Sequence, residues 1–174
     1  KHVMYDAVSA SGIRKANMSS FRKAVIPTYN FDKADTIVSI GADFLSNWLL
    51  STQYAVDYAK GRNPENRKMS RHFQFETIMS STGANAVKEL KGAQGKSLVV
   101  SSSNDESVQT IVNAINHKLG NYGKTVDLDN AINLKQADDA KVAELVKEVT
   151  SGKVGAIIVY GSNPVYTLPN GAAF

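Results

Sequence analysis

Three short runs along the chain are apolar without alternation: Thr36–Ile40 (TIVSI), Ser97–Val100 (SLVV) and Ala156–Tyr160 (AIIVY). Each is rich in β-branched residues and flanked by glycine or polar positions. A strand covered on both faces reads this way, so all three are expected to be buried strands. Ala24–Ile26 is a weaker strand candidate, ended by Pro27. Segment 63–83 is the least regular part, a long loop that can hold one strand around Arg71–Phe75.

Helical spacing fills the intervals. Val108, Ile111, Val112, Ile115 and Leu119 form an apolar stripe. Ser103 and Glu106 have capping-box spacing at its start, and Gly120 stands where a helix closes. Val142, Leu145, Val146 and Val149 mark another helix, closed by Gly152. A third is expected from about Ser46 to Ala59, with Leu45, Leu49, Thr52, Val56 and Ala59 on one side. The stretch from about His2 to Ala16 is a weaker helix, because Ser9, Ser11 and Gly12 oppose it. Strands that alternate with helices predict α/β architecture: a three-layer, Rossmann-like domain, mostly parallel in its sheet, with helices on both faces. Residues 1–174 are expected to form one such domain, a piece of a larger subunit.

Composition narrows the chemistry. The chain has 174 residues, of which 43% are hydrophobic and 21% charged, with net charge +4 and no cysteine. Thiolate-bound iron–sulfur clusters, Cys-type zinc sites and disulfides are therefore excluded within it. No apolar run reaches the roughly 18 residues needed to span a membrane. The densest basic stretch, Lys60, Arg62, Arg67, Lys68 and Arg71, reads as a solvated loop or as a site for an anion or acidic partner. It falls short of a nucleic-acid footprint.

Ligands of parallel α/β sheets bind beyond the carboxyl ends of the strands. Two related loops stand at such ends: Gly41-Ala42-Asp43-Phe44 after TIVSI, and Gly161-Ser162-Asn163-Pro164 after AIIVY. Glycine there permits a sharp turn and close approach, and Asn or Asp can brace the turn or accept from a ribose or base. An ordinary strand-to-helix turn has the same appearance. Ser81-Thr82-Gly83-Ala84-Asn85 has similar chemistry without a convincing strand before it. Ser101-Ser102-Ser103 lies between a strand and a helix, where phosphate can bind, yet it lacks the glycines and lysine of a P-loop. Arg71-His72 could hold an anion or brace a loop. His117 reads as a surface residue, Asp138-Asp139 as helix N-terminal charge, and Trp48, Tyr54 and Tyr58 as core or an exposed aromatic patch.

The segments KADTIVSIGADF (33–44) and SGKVGAIIVYGSNPVY (151–166) resemble two strand-and-loop segments of molybdopterin oxidoreductases, in which the loops commonly read Gly-x-Asn-Pro. MSRHFQFETIMSSTGANA (69–86) and GKSLVVSSSNDESVQTIVNAINHKLGNYG (95–123) resemble most closely the molybdopterin-like, iron–sulfur large subunit of alternative complex III, a quinol-oxidising respiratory complex. The resemblance implies that Gly41, Ala42, Asp43, Gly161, Ser162, Asn163 and Pro164 descend from a site for the molybdopterin guanine dinucleotide. It also implies iron–sulfur clusters outside this segment, other subunits of a membrane-bound complex as partners, and a place on the periplasmic side of the bacterial inner membrane. Asp43-Phe44 departs from Asn-Pro, and the alternative complex III branch is expected to lack the cofactor and serve as a scaffold. An active molybdopterin oxidoreductase and a flavodoxin-like small-ligand module are the rival expectations.

Overall fold

The computed structural model describes residues 1–66, 69–77, 80, 82, 94–168 and 171–173. Two compact units are present: Gly12–Leu134, and a second built from Lys1–Ser11 with Lys135–Phe174.

The larger unit is α/β, with a three-stranded parallel sheet of Rossmann-like character. Helix α1 (Ser11–Phe21) leads to β1 (Ile26–Tyr29), β2 (Thr36–Ile40), α2 (Ser51–Lys60), β3 (Arg71–Phe75), β4 (Ser97–Ser101), α3 (Glu106–Lys118) and β5 (Val126–Ile132). Strand order is β3-β2-β4, with Thr36 level with both Arg71 and Ser97. Central β2 buries Thr36, Ile37 and Ser39, and every residue of β4 is buried. This explains why both strands read apolar without alternation. Because β3 and β4 flank β2 on opposite sides, the chain reverses its direction of travel across the sheet. The loops after β2 and β4 therefore face each other at a topological switch point.

β1 and β5 form a separate antiparallel pair. The sequence places a strand at Ala24–Ile26, but the observed one begins at Ile26 and runs through Pro27. Its register with β5 is broken between Ile26 and Thr28, where an imide without N–H is tolerated. β5 has no apolar signature: Asp127 and Asn130 serve its own turn chemistry, with Asn130 Nδ2 donating to Asp127 Oδ2.

Several helical expectations need correction. The N-terminal helix runs Ser11–Phe21, not His2–Ala16. α2 starts at Ser51, because the backbone amides of Ser46, Asn47 and Trp48 all donate to the Asp43 carbonyl in a tight turn. α3 is capped by Asp105, whose side chain accepts from Ser107 N, so Ser103 and Glu106 form no capping box. Its buried face is Gln109, Val112, Asn113 and Asn116, whereas Ile111 and Ile115 are exposed, against the apolar stripe expected. Gly120 does close α3 with a left-handed backbone.

In the smaller unit, α4 (Asp139–Thr150) is capped by Asp138, which accepts from Ala140 N and Lys141 N. Asp139 accepts from the Ser11 hydroxyl, and Asp6 accepts from Ala137 N. α5 (Pro164–Thr167) is a single turn. Ala156–Tyr160 was expected to be a buried strand and is not one. It makes no ladder among the described residues, and Ile158 and Tyr160 are 96% and 97% exposed. The unit contains no strand among its described residues with which it could pair. No described helix is long and apolar enough to cross a membrane.

Candidate functional site

An open crevice of about 820 Å³ lies at the carboxyl ends of β2, β3 and β4. Gly41 follows β2, Gln74, Phe75, Glu76 and Thr77 end β3, and Ser101, Ser102 and Ser103 end β4; Ser80 and Val108 complete the lining. Gly41 has φ +67, and a Cβ there would stand 2.9 Å from Ser102 Oγ. The glycine thus lets the β2 and β4 loops approach closely, as its position in the sequence suggests.

Only Gly41 of the first predicted loop reaches the crevice. Ala42 and Phe44 have no exposed surface. Phe44 stacks on Phe31 with ring centroids 4.3 Å apart, and Tyr58 and His72 meet its other sides at 5.5 and 5.2 Å. The Asp43 carboxylate accepts from the Thr82 hydroxyl at 2.6 Å and from Thr82 N at 3.2 Å. Thr82 Oγ1 in turn accepts from Leu45 N. Asp43-Phe44 is therefore a brace and a core plug. Apart from Thr82, the loop at 81–85 lies outside the described residues, as do Arg67 and Lys68.

The serine loop is also committed internally. Ser102 N donates to the Ile40 carbonyl, Ser103 N to Ser101 Oγ and Asp105 N to Ser103 Oγ. The Asp105 carboxylate occupies the start of α3, where a phosphate would otherwise sit. Glu76 is the one charged side chain among the described lining residues. The Ser80 hydroxyl holds its carboxyl below the usual range, helped by Ser80 N and the Gln74 amide. A pyrophosphate entering here would meet a carboxylate and no cation among the described lining residues, and the amides of Ser102, Ser103 and Asp105 are already donated. The described residues do not fit the phosphate arms of a guanine dinucleotide.

The second predicted loop is in the smaller unit. Gly161, Ser162 and Asn163 are exposed, and Gly161 has φ +67. Pro164 opens α5, and the Asn163 carbonyl accepts from Tyr166 N and Thr167 N. This is an ordinary turn into one helical turn.

Sequence reading missed Glu76 and Gln74. Their one signal was their place at the end of β3, a strand only faintly legible. His72, considered as an anion ligand, is buried: its Nδ1 lies 3.2 Å from the Tyr58 hydroxyl and its Nε2 3.3 Å from Gln74 Oε1. Gln74 donates through Nε2 to Glu76, so its Oε1 is what faces His72. The imidazole therefore carries its proton on Nε2 and accepts from Tyr58 at Nδ1. Arg62 lies over the Tyr58 ring and donates to the Ser70 carbonyl. Trp48, Tyr54 and Tyr58 are core, and His117 is exposed.

No protein-family model matches the chain, and no curated protein matches it.

Proposed function

We propose that this chain is a cofactor-free scaffold domain of a respiratory electron-transfer subunit of the alternative complex III type. In this reading it holds iron–sulfur-bearing parts and neighbouring subunits in place on the periplasmic side of the membrane. The observation that carries it is the internal use of the inherited loop: Phe44 fills the aromatic core and Asp43 is spent on Thr82, where a cofactor-binding loop would turn outward. The quenched amides of Ser102, Ser103 and Asp105 support it. Metal and pterin analysis of the intact native subunit is the test. Iron without molybdenum, tungsten or pterin is the expected result. Molybdenum or tungsten near one atom per subunit overturns it and favours an active molybdopterin oxidoreductase. Titrating the chain with guanosine diphosphate is expected to give no saturable binding.

A further inference from the structure

Among the described residues the outer edge of β4 ends the parallel sheet, and such an edge ordinarily exposes a row of unpaired backbone groups. Alternate residues of a parallel strand point their amides and carbonyls to alternate sides. Lys96 O and Ser102 N bond toward β2, at Asp35 and Thr36 and at Ile40 respectively. Ser97, Val99 and Ser101 therefore point away from it. Side chains meet these groups instead of a strand. Asn116 on α3 accepts from Val99 N at 3.1 Å through Oδ1 and donates to Val99 O at 2.8 Å through Nδ2. Its amide thus reproduces both bonds that a neighbouring strand would make. Immediately before β5, Thr125 Oγ1 donates to Ser97 O at 2.6 Å. Near the start of α3, Gln109 Nε2 donates to Ser101 O at 3.0 Å.

The arrangement is buttressed. Asn121 donates to Asn116 Oδ1 at 2.8 Å and accepts from Ser97 Oγ at 3.0 Å, fixing which way each amide points. Gln109, Asn116, Asn121 and Thr125 are 3% exposed or less. Burying these amides and hydroxyls is tolerable only because they are hydrogen-bonded. The same geometry accounts for the inverted face of α3. Its amides must turn inward to reach β4, which leaves Ile111 and Ile115 in solvent.

We infer that Gln109, Asn116 and Thr125 form a surrogate strand that seals the β4 edge against addition of a strand from a second copy of the chain. Core packing alone would have been served by leucine or isoleucine at positions 109 and 116. A bidentate amide registered on Val99 is what an edge requires if it is to stay closed.

Hydrogen exchange and self-association of the 174-residue chain test the inference. In the unsubstituted chain the Val99 amide should exchange as slowly as the Val38 amide of central β2, although its acceptor is the Asn116 side chain and not a strand backbone. Faster exchange at Val99 alone, by about tenfold or more (the counterpart of one net hydrogen bond), overturns the seal. Asn116→Ala should stay folded by circular dichroism and self-associate with rising concentration more than the unsubstituted chain does. Adding Val99→Pro, which removes the outward N–H and blocks pairing, should suppress that association. A folded Asn116→Ala that associates no more than the parent, or one that associates equally with Val99→Pro present, refutes the inference. Should Asn116→Ala fail to fold, Gln109→Ala uncovers the Ser101 carbonyl of the β4 edge, together with the Ser103 carbonyl beyond the strand, and is read by the same association measurement, with the same outcomes deciding.

Discussion

Phe44 ties the loop after β2 to the core. Its ring lies between Phe31, Tyr58 and His72 with no exposed surface, so Phe44→Ala should cost about 3–5 kcal/mol in urea unfolding, as buried phenylalanines do. Introducing Asn-Pro with Asp43→Asn and Phe44→Pro should destabilise the chain by a similar amount and create no guanine-nucleotide affinity. Gain of affinity would show that the loop can act as a nucleotide cradle. His72 carries a pH signature. Burial, reinforced by Arg62 and opposed by the Gln74 hydrogen bond and Glu76, lowers it from 6.5 to about 4. The folded state therefore resists protonation that the unfolded chain accepts. Stability should be fully present above about pH 6.5 and fall as pH drops toward 4, by about 3 kcal/mol in total. Urea midpoints at pH 7, 5.5 and 4.5 read this slope, which His72→Gln should flatten over that interval. An unchanged slope would place the titration elsewhere. Glu76 and Asp127, both held below the usual carboxylate range, lose their contribution only at lower pH.

Among the elements, glycine contacts define how close the parts come. A Cβ at Gly12 would stand 2.3 Å from the Asn104 carbonyl, and Gly12 N donates to Asn104 Oδ1 at 2.8 Å. Gly12→Ala must push α1 off the loop before α3, and should cost about 1–3 kcal/mol of thermal stability, the usual overpacking penalty. A cost near zero would mean that the helix shifts freely. The sequence reads strand β2 and β4 correctly because both are covered on two faces, which leaves an unambiguous apolar run. It reads β3 faintly, since Arg71 and Gln74 interrupt the pattern, and misses β5, whose Asp127, Asp129 and Asn130 resemble a turn. It assigns α3 a helix and the wrong buried face. Hydrophobic periodicity cannot register that Gln109 and Asn116 have backbone partners on β4. Gly41 was legible as a crevice residue because a positive-φ glycine after a parallel strand has a physical reason to be there. Asp43 was not, because its partner Thr82 lies 39 residues away.

At the scale of the whole molecule, the apolar run Ala156–Tyr160 separates pattern from context. Its composition is that of a buried strand, yet Ile157, Ile158, Val159 and Tyr160 are 42%, 96%, 44% and 97% exposed, and Tyr166 adds 88% nearby. A β-branched run is a strand only where a sheet receives it, and Lys1–Ser11 with Lys135–Phe174 supplies none among its described residues. An exposed apolar stretch of this kind suits a surface that a larger assembly covers, which accords with the scaffold reading. Ile158→Lys decides between the two situations. If the side chain is in solvent, the substitution should change the unfolding free energy by no more than about 0.5 kcal/mol, as surface changes do. If the run were a central strand, a buried, unpaired ammonium would cost several times more and the chain would lose its cooperative transition. Chemical denaturation of the two chains side by side measures the difference. A small change with intact cooperativity supports the exposed placement of the run, and a collapse of stability would return Ala156–Tyr160 to the core.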